Sequence, residues 1–183
     1  WSEPGELPAG VRERDWSRPL VYLTLGTAFA SVDVFKQAIE GLAVLAVDVL
    51  VAAGPAVDLD ALGEVASNVR WEAWVPQTDL LPYVDLVVHH GGSGTMLGAF
   101  SAGLPQLLLP QGADQFTNAE AVLDAGVGSR LLPDEFSRDA VTDKVQTLLA
   151  DEAVHVAAGR LAEEVAAMPS PDDVAAHLPR LIP

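Results

Sequence analysis

Short apolar runs alternate with longer amphipathic stretches along most of the chain. The runs consist mainly of Val and Leu, which is typical of strands buried on both faces of a parallel sheet. They predict strands at residues 20–25, 47–53, 69–71, 85–89, 105–109 and 128–132. The stretches between them predict helices at residues 33–45, 59–66, 76–83, 94–102, 115–125 and 137–149. Strictly alternating strands and helices predict an α/β fold, a Rossmann-like, doubly wound parallel sheet of about six strands.

The beginning of the chain lacks this alternation. Residues 1–18 mix Pro, Gly and charges with two separate tryptophans, Trp1 and Trp16. This composition predicts an interdomain linker that would need an external surface to become ordered, followed by one domain over residues 19–183. Because the chain opens without an initiator Met or a signal-peptide pattern, we expect it to be a piece of a larger protein.

The tail contains helices without a further strand. An Ala- and Glu-rich helix is predicted at residues 151–168, a break at the Pro-Ser-Pro sequence of residues 169–171, and a short helix at 172–181. A helix that follows such a break needs an apolar surface of its own. We therefore predict weak self-association of the chain through this tail.

Charge and composition exclude several classes of partner. Ten Lys and Arg against 26 Asp and Glu give a formal net charge of −16, and such a chain repels polyanions, so we expect no nucleic acid partner. Gly, Pro and charges interrupt every apolar stretch before it reaches about 18 residues, so we expect no membrane span. The absence of Cys excludes disulfides and thiolate chemistry, and it fits the reducing environment of a cytoplasmic protein.

One loop has the composition of a phosphate cradle. The predicted strand at 85–89 continues into His89-His90-Gly91-Gly92-Ser93-Gly94-Thr95 and then into a helix. Ligands of open α/β sheets bind outside the carboxyl ends of the strands. Glycines allow close backbone approach, Ser93 or Thr95 could cap the helix, and free N–H groups at a helix start favour an anion. An ordinary tight turn between strand and helix is the alternative interpretation.

The surroundings of this loop limit how it could bind an anion. No Lys or Arg occurs from residue 71 to residue 129, so a bound phosphate would depend on backbone amides, the helix dipole and histidine. Strand alternation allows at most one of His89 and His90 to face the cleft. The loop also lacks clustered carboxylates, so no metal and no cofactor is expected.

Two further loops follow predicted strands. Pro110-Gln111-Gly112-Ala113-Asp114-Gln115 opens a helix that carries Asn118 one turn later. Asp114 could be a routine N-cap, but a carboxylate beside a carboxamide also suits sugar hydroxyls. The loop after the first strand contains Gly26 and Thr27, which could add backbone donors.

Read together, these segments resemble family 1 glycosyltransferases of the GT-B fold, particularly the bacterial enzymes that glycosylate natural products such as antibiotics. The resemblance is carried, in order, by Leu23-Thr24-Leu25-Gly26-Thr27, Trp74-Val75-Pro76-Gln77, His89 to Thr95, Ala102-Gly103-Leu104-Pro105-Gln106, and Asp114-Gln115 with Asn118-Ala119. Several motifs in register are more specific than any one of them. The resemblance implies that the chain is the C-terminal, nucleotide-sugar-binding half of such an enzyme.

The resemblance also implies a role for individual residues. Trp74 and Gln77 would flank the nucleobase and Val75 would bond its edge, whereas the alternative for Trp74 is a core aromatic. The residues implied at the diphosphate are His90, Gly92, Ser93, Gly94, Thr95, Gly26 and Thr27. Those implied at the sugar hydroxyls are Asp114 and Gln115.

One position departs from the family pattern. Related plant enzymes carry a Glu that binds both ribose hydroxyls, and Gly98 occupies that position here. The departure predicts a donor with deoxyribose, so dTDP-sugars are favoured over UDP-sugars.

The resemblance further implies an inverting, metal-independent transfer to a small-molecule acceptor. Its general base would be a histidine of an N-terminal domain that this chain lacks. We therefore expect no catalytic residue here, and neither His155 nor His177 is a candidate. The isolated chain should bind donor without transferring sugar.

One alternative remains open from the sequence. A stand-alone nucleotide-sugar-binding or auxiliary module would retain the same motifs without transferase activity. A nucleotide-sugar epimerase of the same fold lacks support, because it would need its own complete two-domain cleft.

Overall fold

The computed structural model describes residues 5–14, 16–26, 32–54 and 66–177, apart from the side chains of Pro171 and His177. Thr27, Trp1 and all but the last residue of the helix predicted at 59–66 lie outside the described residues. So do residues 178–181 of the last predicted helix.

The described strands form one parallel sheet. They are β1 Leu20–Thr24, β2 Asp48–Ala52, β3 Val69–Glu72, β4 Leu86–His89, β5 Gln106–Leu108 and β6 Gly128–Arg130. Their order is β3-β2-β1-β4-β5-β6, and every pairing is parallel. The predicted Rossmann-like sheet is confirmed, and its strand order reverses between β1 and β4, where ligands of such folds bind.

Helices cover both faces of this sheet. They are α1 Val32–Ala43, α2 Gln77–Leu80, α3 Ser93–Ala102, α4 Gln115–Asp124, α5 Arg138–Ala150, α6 Glu152–Ala166 and α7 Pro171–His177, with a 3-10 helix at Leu81–Tyr83. On one face α1 and α5 bury Phe35, Leu42 and Val145 against strand residues such as Leu23 and Val88. On the other, α2, α3, α4 and α6 cover the alternate strand residues. The core therefore lies in two layers, one on each side of the strands.

The single helix predicted at residues 76–83 is divided. An α-helix ends at Leu80 and a 3-10 turn continues to Tyr83, with Pro82 inside that turn. Because Pro has no amide hydrogen, residue 82 cannot donate the bond that would extend the α-helix. This break brings the chain sharply into β4.

The segment before β1 is packed on the domain itself. Val11 is buried in the core layer that contains Leu20 and Tyr22. Nη2 of Arg14 donates to Oδ2 of Asp85 at 3.0 Å, and the guanidinium lies 4.1 Å above the Trp16 ring. The surface that this segment was expected to need is therefore the amino-terminal edge of the same sheet. The domain boundary at residue 19 stays a prediction.

The tail divides into a packed and an exposed part. Ala158 of α6 is buried with Met96 of α3, and Gly103 lies against Ala162. In contrast, the side chains of residues 172–176 in α7 are exposed. Self-association through this tail stays a prediction.

Candidate functional site

The loops after β1 and β4 meet where the strand order reverses. A Cβ atom added to Gly26 would lie 2.7 Å from Cε1 of His90, and one added to Gly92 would lie 2.5 Å from Nε2 of the same ring. Gly26 has a φ of 71°, which also favours glycine. The His90 imidazole is therefore held between two glycines, and any side chain at either position would displace it.

The two adjacent histidines face different environments. His89 is completely buried, and its Nε2 lies 2.8 Å from Oε1 of Gln106. Its Nδ1 accepts a hydrogen bond from the amide of Gly91 at 3.1 Å. Burial lowers the pKa of His89 to about 3, against the opposing effect of the Gln106 bond. His90 alone is left to face the cleft, as strand alternation required.

His90 is partly buried and remains chemically available. Burial lowers its pKa, and the Thr24 backbone and the Asp114 carboxylate oppose this effect. Among the described residues its buried Nδ1 finds no hydrogen-bond partner of ordinary geometry. The ring is thus positioned mainly by its packing between Gly26 and Gly92.

The start of α3 has no side-chain cap. The N-cap is Gly92, with an extended backbone, so the expectation that Ser93 or Thr95 would cap this helix is wrong. The Ser93 hydroxyl instead donates to Oδ2 of Asp114 at 3.2 Å, and the Thr95 hydroxyl donates to Oε1 of Gln77 at 3.2 Å. Because these hydroxyls bond side chains of other elements, no side chain caps the first N–H groups of α3. Those groups can therefore bind an anion.

Asp114 is not a routine N-cap either. It occupies the cap position of α4, but its carboxylate makes no capping bond. Oδ2 accepts from Ser93 and, at 3.2 Å, from Nδ2 of Asn118. The same Nδ2 donates to the carbonyl oxygen of Gly91 at 2.8 Å. Asp114 and Asn118 therefore bind the glycine loop, which we define as residues 91–94, to the start of α4.

Gln115 lies beneath this arrangement. Its side chain is buried, and Oε1 accepts hydrogen bonds from the amides of Gln111 and Gly112 at 2.7 and 3.1 Å. These bonds shape the loop before α4. That Gln115 contacts a sugar stays a prediction. In the structure its side-chain oxygen bonds the loop before α4.

The residues expected at the nucleobase line a cavity beyond the ends of β1, β2 and β3. The cavity has a volume of about 210 Å³, and Gly26, Trp74, Val75, Gln77 and Thr95 are among its lining residues. Trp74 is 54% exposed, so its interpretation as a core aromatic is wrong. Val75 is buried. The structure brings the residues predicted for base and phosphate to one edge of the sheet.

Sequence reasoning assigned no role to three residues around the site. Tyr22 and Thr24 line the same cavity from alternate positions of β1, and Gln106 supports His89 from β5. Each is a polar side chain in a strand of mostly apolar residues. This contrast was the feature of the sequence that could have indicated a site residue. Burial raises the pKa of Tyr22 to about 12, against the effect of Thr24, so the phenol is neutral at pH 7.

The described residues contain no group of three or more His, Asp or Glu side chains that could hold a metal ion. In that same part of the chain, no helix combines the length and the apolar character that crossing a bilayer requires.

Comparison with known proteins identifies the family. The family described as erythromycin biosynthesis protein CIII-like, C-terminal domain, matches residues 37–181. The chain belongs to this family. It is 45% identical over 130 residues to the elloramycin glycosyltransferase of Streptomyces olivaceus, covering 70% of this chain and 32% of that protein. It is 36% identical over 186 residues to the L-demethylnoviosyl transferase of Streptomyces niveus, covering 96% and 48% respectively.

A solved structure extends the match to the fold. The glycosyltransferase VinC in complex with dTDP superposes with a TM-score of 0.85 at 30% identity, over 98% of this chain and 45% of VinC. The predicted resemblance to GT-B natural-product glycosyltransferases is confirmed. The chain spans about half the length, or less, of these relatives.

Proposed function

We propose that this chain is the donor-binding part of a glycosyltransferase that moves a sugar from a nucleoside diphosphate to a small natural-product acceptor. The observation that carries the proposal is the uncapped start of α3 beside His90, at the point where the strand order reverses. This arrangement offers N–H groups, a helix dipole and an imidazole to a diphosphate without a formal cation.

The chemistry assigned to the whole enzyme is an inverting displacement. The acceptor oxygen attacks the anomeric carbon, the bond from that carbon to the phosphate oxygen breaks, and a base outside this chain takes the acceptor proton. Negative charge then grows on the departing diphosphate. His90 and the amides of Ser93 and Gly94 are the groups that stabilise it where it develops.

We assign the nucleobase to the cavity beside Trp74. An exposed indole provides a flat surface on which a base can stack, and Val75 lines the same cavity, so we assign its backbone to the edge of the base. Asp114 is exposed near the glycine loop, so we assign it to sugar hydroxyls. No metal is part of the proposal.

A deoxyribose donor is favoured by the surroundings of Gly98. A Cβ atom there would lie 3.0 Å from Nε2 of Gln77 and 3.1 Å from Cδ1 of Leu81. Gly98 has no side chain that could hold the ribose hydroxyls, and even a Cβ atom there would need the ends of Gln77 and Leu81 to shift slightly. The solved relative VinC is a complex with dTDP, which supports the same choice.

Calorimetric titration of the chain with dTDP, dUDP and UDP tests the donor assignment. We expect dTDP to bind more tightly than UDP. The pair dUDP and UDP differs only in the 2′-hydroxyl, and the pair dTDP and dUDP only in the base methyl, so the two contributions are measured separately. Equal affinity for dTDP and UDP, or tighter UDP, contradicts the deoxyribose assignment, and absence of binding contradicts the donor site.

A transfer assay separates the enzyme from the auxiliary module. We expect the chain alone to release no product from donor and acceptor, and a separately expressed N-terminal half to restore transfer. Inactivity of the combined halves, with dTDP binding intact, would favour a stand-alone binding module.

A further inference from the structure

We propose that His89 is a positioning residue for the glycine loop, which it holds through the Gly91 amide without touching the ligand. The inference rests on the proposed donor site, because its consequence for function is the placement of the diphosphate. Nothing in the sequence pattern distinguished His89 from an ordinary buried histidine. The hydrogen bonds on its two ring nitrogens make the distinction.

These bonds fix one protonation state. The Gly91 amide can only donate, so the Nδ1 atom that it contacts at 3.1 Å must be an unprotonated acceptor. Nε2 then carries the hydrogen and donates it to Oε1 of Gln106 at 2.8 Å. An imidazolium ring has no acceptor, so only neutral His89 makes both bonds.

The Gly91 residue is held from two sides, through the peptide group before it and the one after it. His89 binds its amide from the core, and Nδ2 of Asn118 binds its carbonyl oxygen from α4 at 2.8 Å. Gly91 has a φ of 94°, and a Cβ on it would lie 3.0 Å from the Gln115 carbonyl oxygen, so this residue has little freedom to move. Gly92 follows directly and forms one wall around the His90 ring.

An apolar residue could fill the space of His89 but could not accept the hydrogen bond from the Gly91 amide. Leu and Val occupy the remaining positions of β4, and burying an imidazole among them is unfavourable unless both nitrogens are paired. Gln106, which supplies one partner, is itself fully buried with its Nε2 unpaired among the described residues. An apolar pair in place of His89 and Gln106 would avoid the cost of burying polar groups. We therefore infer that the bond from Gly91 to His89 positions the glycine loop.

The matched variants His89→Asn and His89→Gln separate the two ends of the ring. Asn places an acceptor oxygen near the position of Nδ1, whereas Gln reaches toward Gln106 and offers Gly91 no acceptor in that place. Both are polar and close in size, so their effects on core packing are comparable. Val145→Ala, a buried change in α5, provides a variant whose lower stability leaves the loop intact.

We expect His89→Gln to weaken dTDP about tenfold and thymidine less than about twofold, because only the diphosphate depends on the loop. His89→Asn should bind dTDP nearly as the wild type does, and Val145→Ala should leave the ratio of the two affinities unchanged. Equal losses in the Asn and Gln variants, or parallel losses of dTDP and thymidine, would overturn the proposal.

A measurement without ligand keeps this inference separate from the proposed function. Amide hydrogen exchange followed by NMR should show a protected Gly91 amide in the wild type and in His89→Asn. In His89→Gln we expect exchange at least about tenfold faster, as one hydrogen bond is lost. The same exchange rate in both variants refutes the role of His89, whereas failure of wild-type protein to bind dTDP refutes the donor site alone.

Discussion

At the amino ends of the strands the chain places guanidinium groups, and at the carboxyl ends it places glycines, hydroxyls and imidazoles. Arg14 bonds Asp85 and the carbonyl oxygens of Arg18 and Tyr83, and Arg70 bonds the carbonyl oxygen of Ala9. The bonds to Asp85, Tyr83 and Ala9 fasten the segment before β1 to the rest of the domain, and the bond to Arg18 lies within that segment. Between residues 71 and 129, the stretch that contains the glycine loop and the start of α4, the sequence has no Lys or Arg.

This difference separates a structural use of charge from a site built on dipoles. A guanidinium can hold backbone carbonyls wherever it is placed, so it suits the attachment of a segment without regular structure. At the proposed anion site, donors that are oriented in advance stabilise charge where it develops. Arg14 and Arg70 therefore support the architecture of this strongly acidic chain, whereas the proposed ligand site depends on amides, a helix dipole and an imidazole.

The largest effect is expected at Gly92, where the His90 ring leaves no space for a side chain. Gly92→Ala places a Cβ 2.5 Å from Nε2 of His90, so the ring must move, and dTDP affinity should fall about tenfold to a hundredfold. Gly159→Ala in α6, where a Cβ meets nothing within 4 Å, is the matched control and should bind as the wild type does. Calorimetry measures both variants, and unchanged affinity in Gly92→Ala would show that His90 does not contact the ligand.

The next effect concerns pH at the same edge. The pKa of His89 is about 3 in the folded chain and ordinarily 6.5, so the unfolded chain binds more protons between these values. The contribution of His89 to stability is therefore complete above pH 6.5 and is lost as the pH falls toward 3. Between pH 7 and pH 5 the loss should reach about 2 kcal/mol.

Urea unfolding of the wild type and of His89→Asn at both pH values measures this loss. The Asn variant cannot titrate at this position and shares every other ionisable group, so the difference between the two proteins isolates His89. An equal change of the free energy of unfolding in both would contradict the assignment.

At the amino edge we expect a loss of stability of similar size, without any effect on ligand affinity. Arg14→Gln removes the charged bonds to Asp85 and Tyr83 and should lower the free energy of unfolding by about 1–3 kcal/mol. Its dTDP affinity should not change, because the guanidinium lies at the far end of the strands. Arg160→Gln, the same substitution at an exposed position of α6, controls for the change of net charge. A loss of dTDP affinity in Arg14→Gln alone would mean that the two edges are coupled.

The sequence by itself determined the elements and the position of the site along the chain. Apolar runs such as Leu20–Thr24 and Leu86–His89 are local signals for buried parallel strands, and the glycines after His90 mark where the backbone leaves the sheet. The predicted helix is divided at Pro82 because this residue has no amide hydrogen, which is also a local property of the sequence. These features depend on neighbouring residues, so the pattern was sufficient to predict most of them.

Only the tertiary structure decided what each site residue does. Alternation requires His89 and His90 to face opposite ways, but only the packing of the strands, with Gln106 of β5 beside His89, decides which one is enclosed. Ser93, Thr95 and Asp114 all have good capping side chains, and each instead bonds a partner from a different element or makes no cap. Such contacts join segments far apart in the chain, and their geometry depends on the order of strands in the sheet, which a local pattern does not specify.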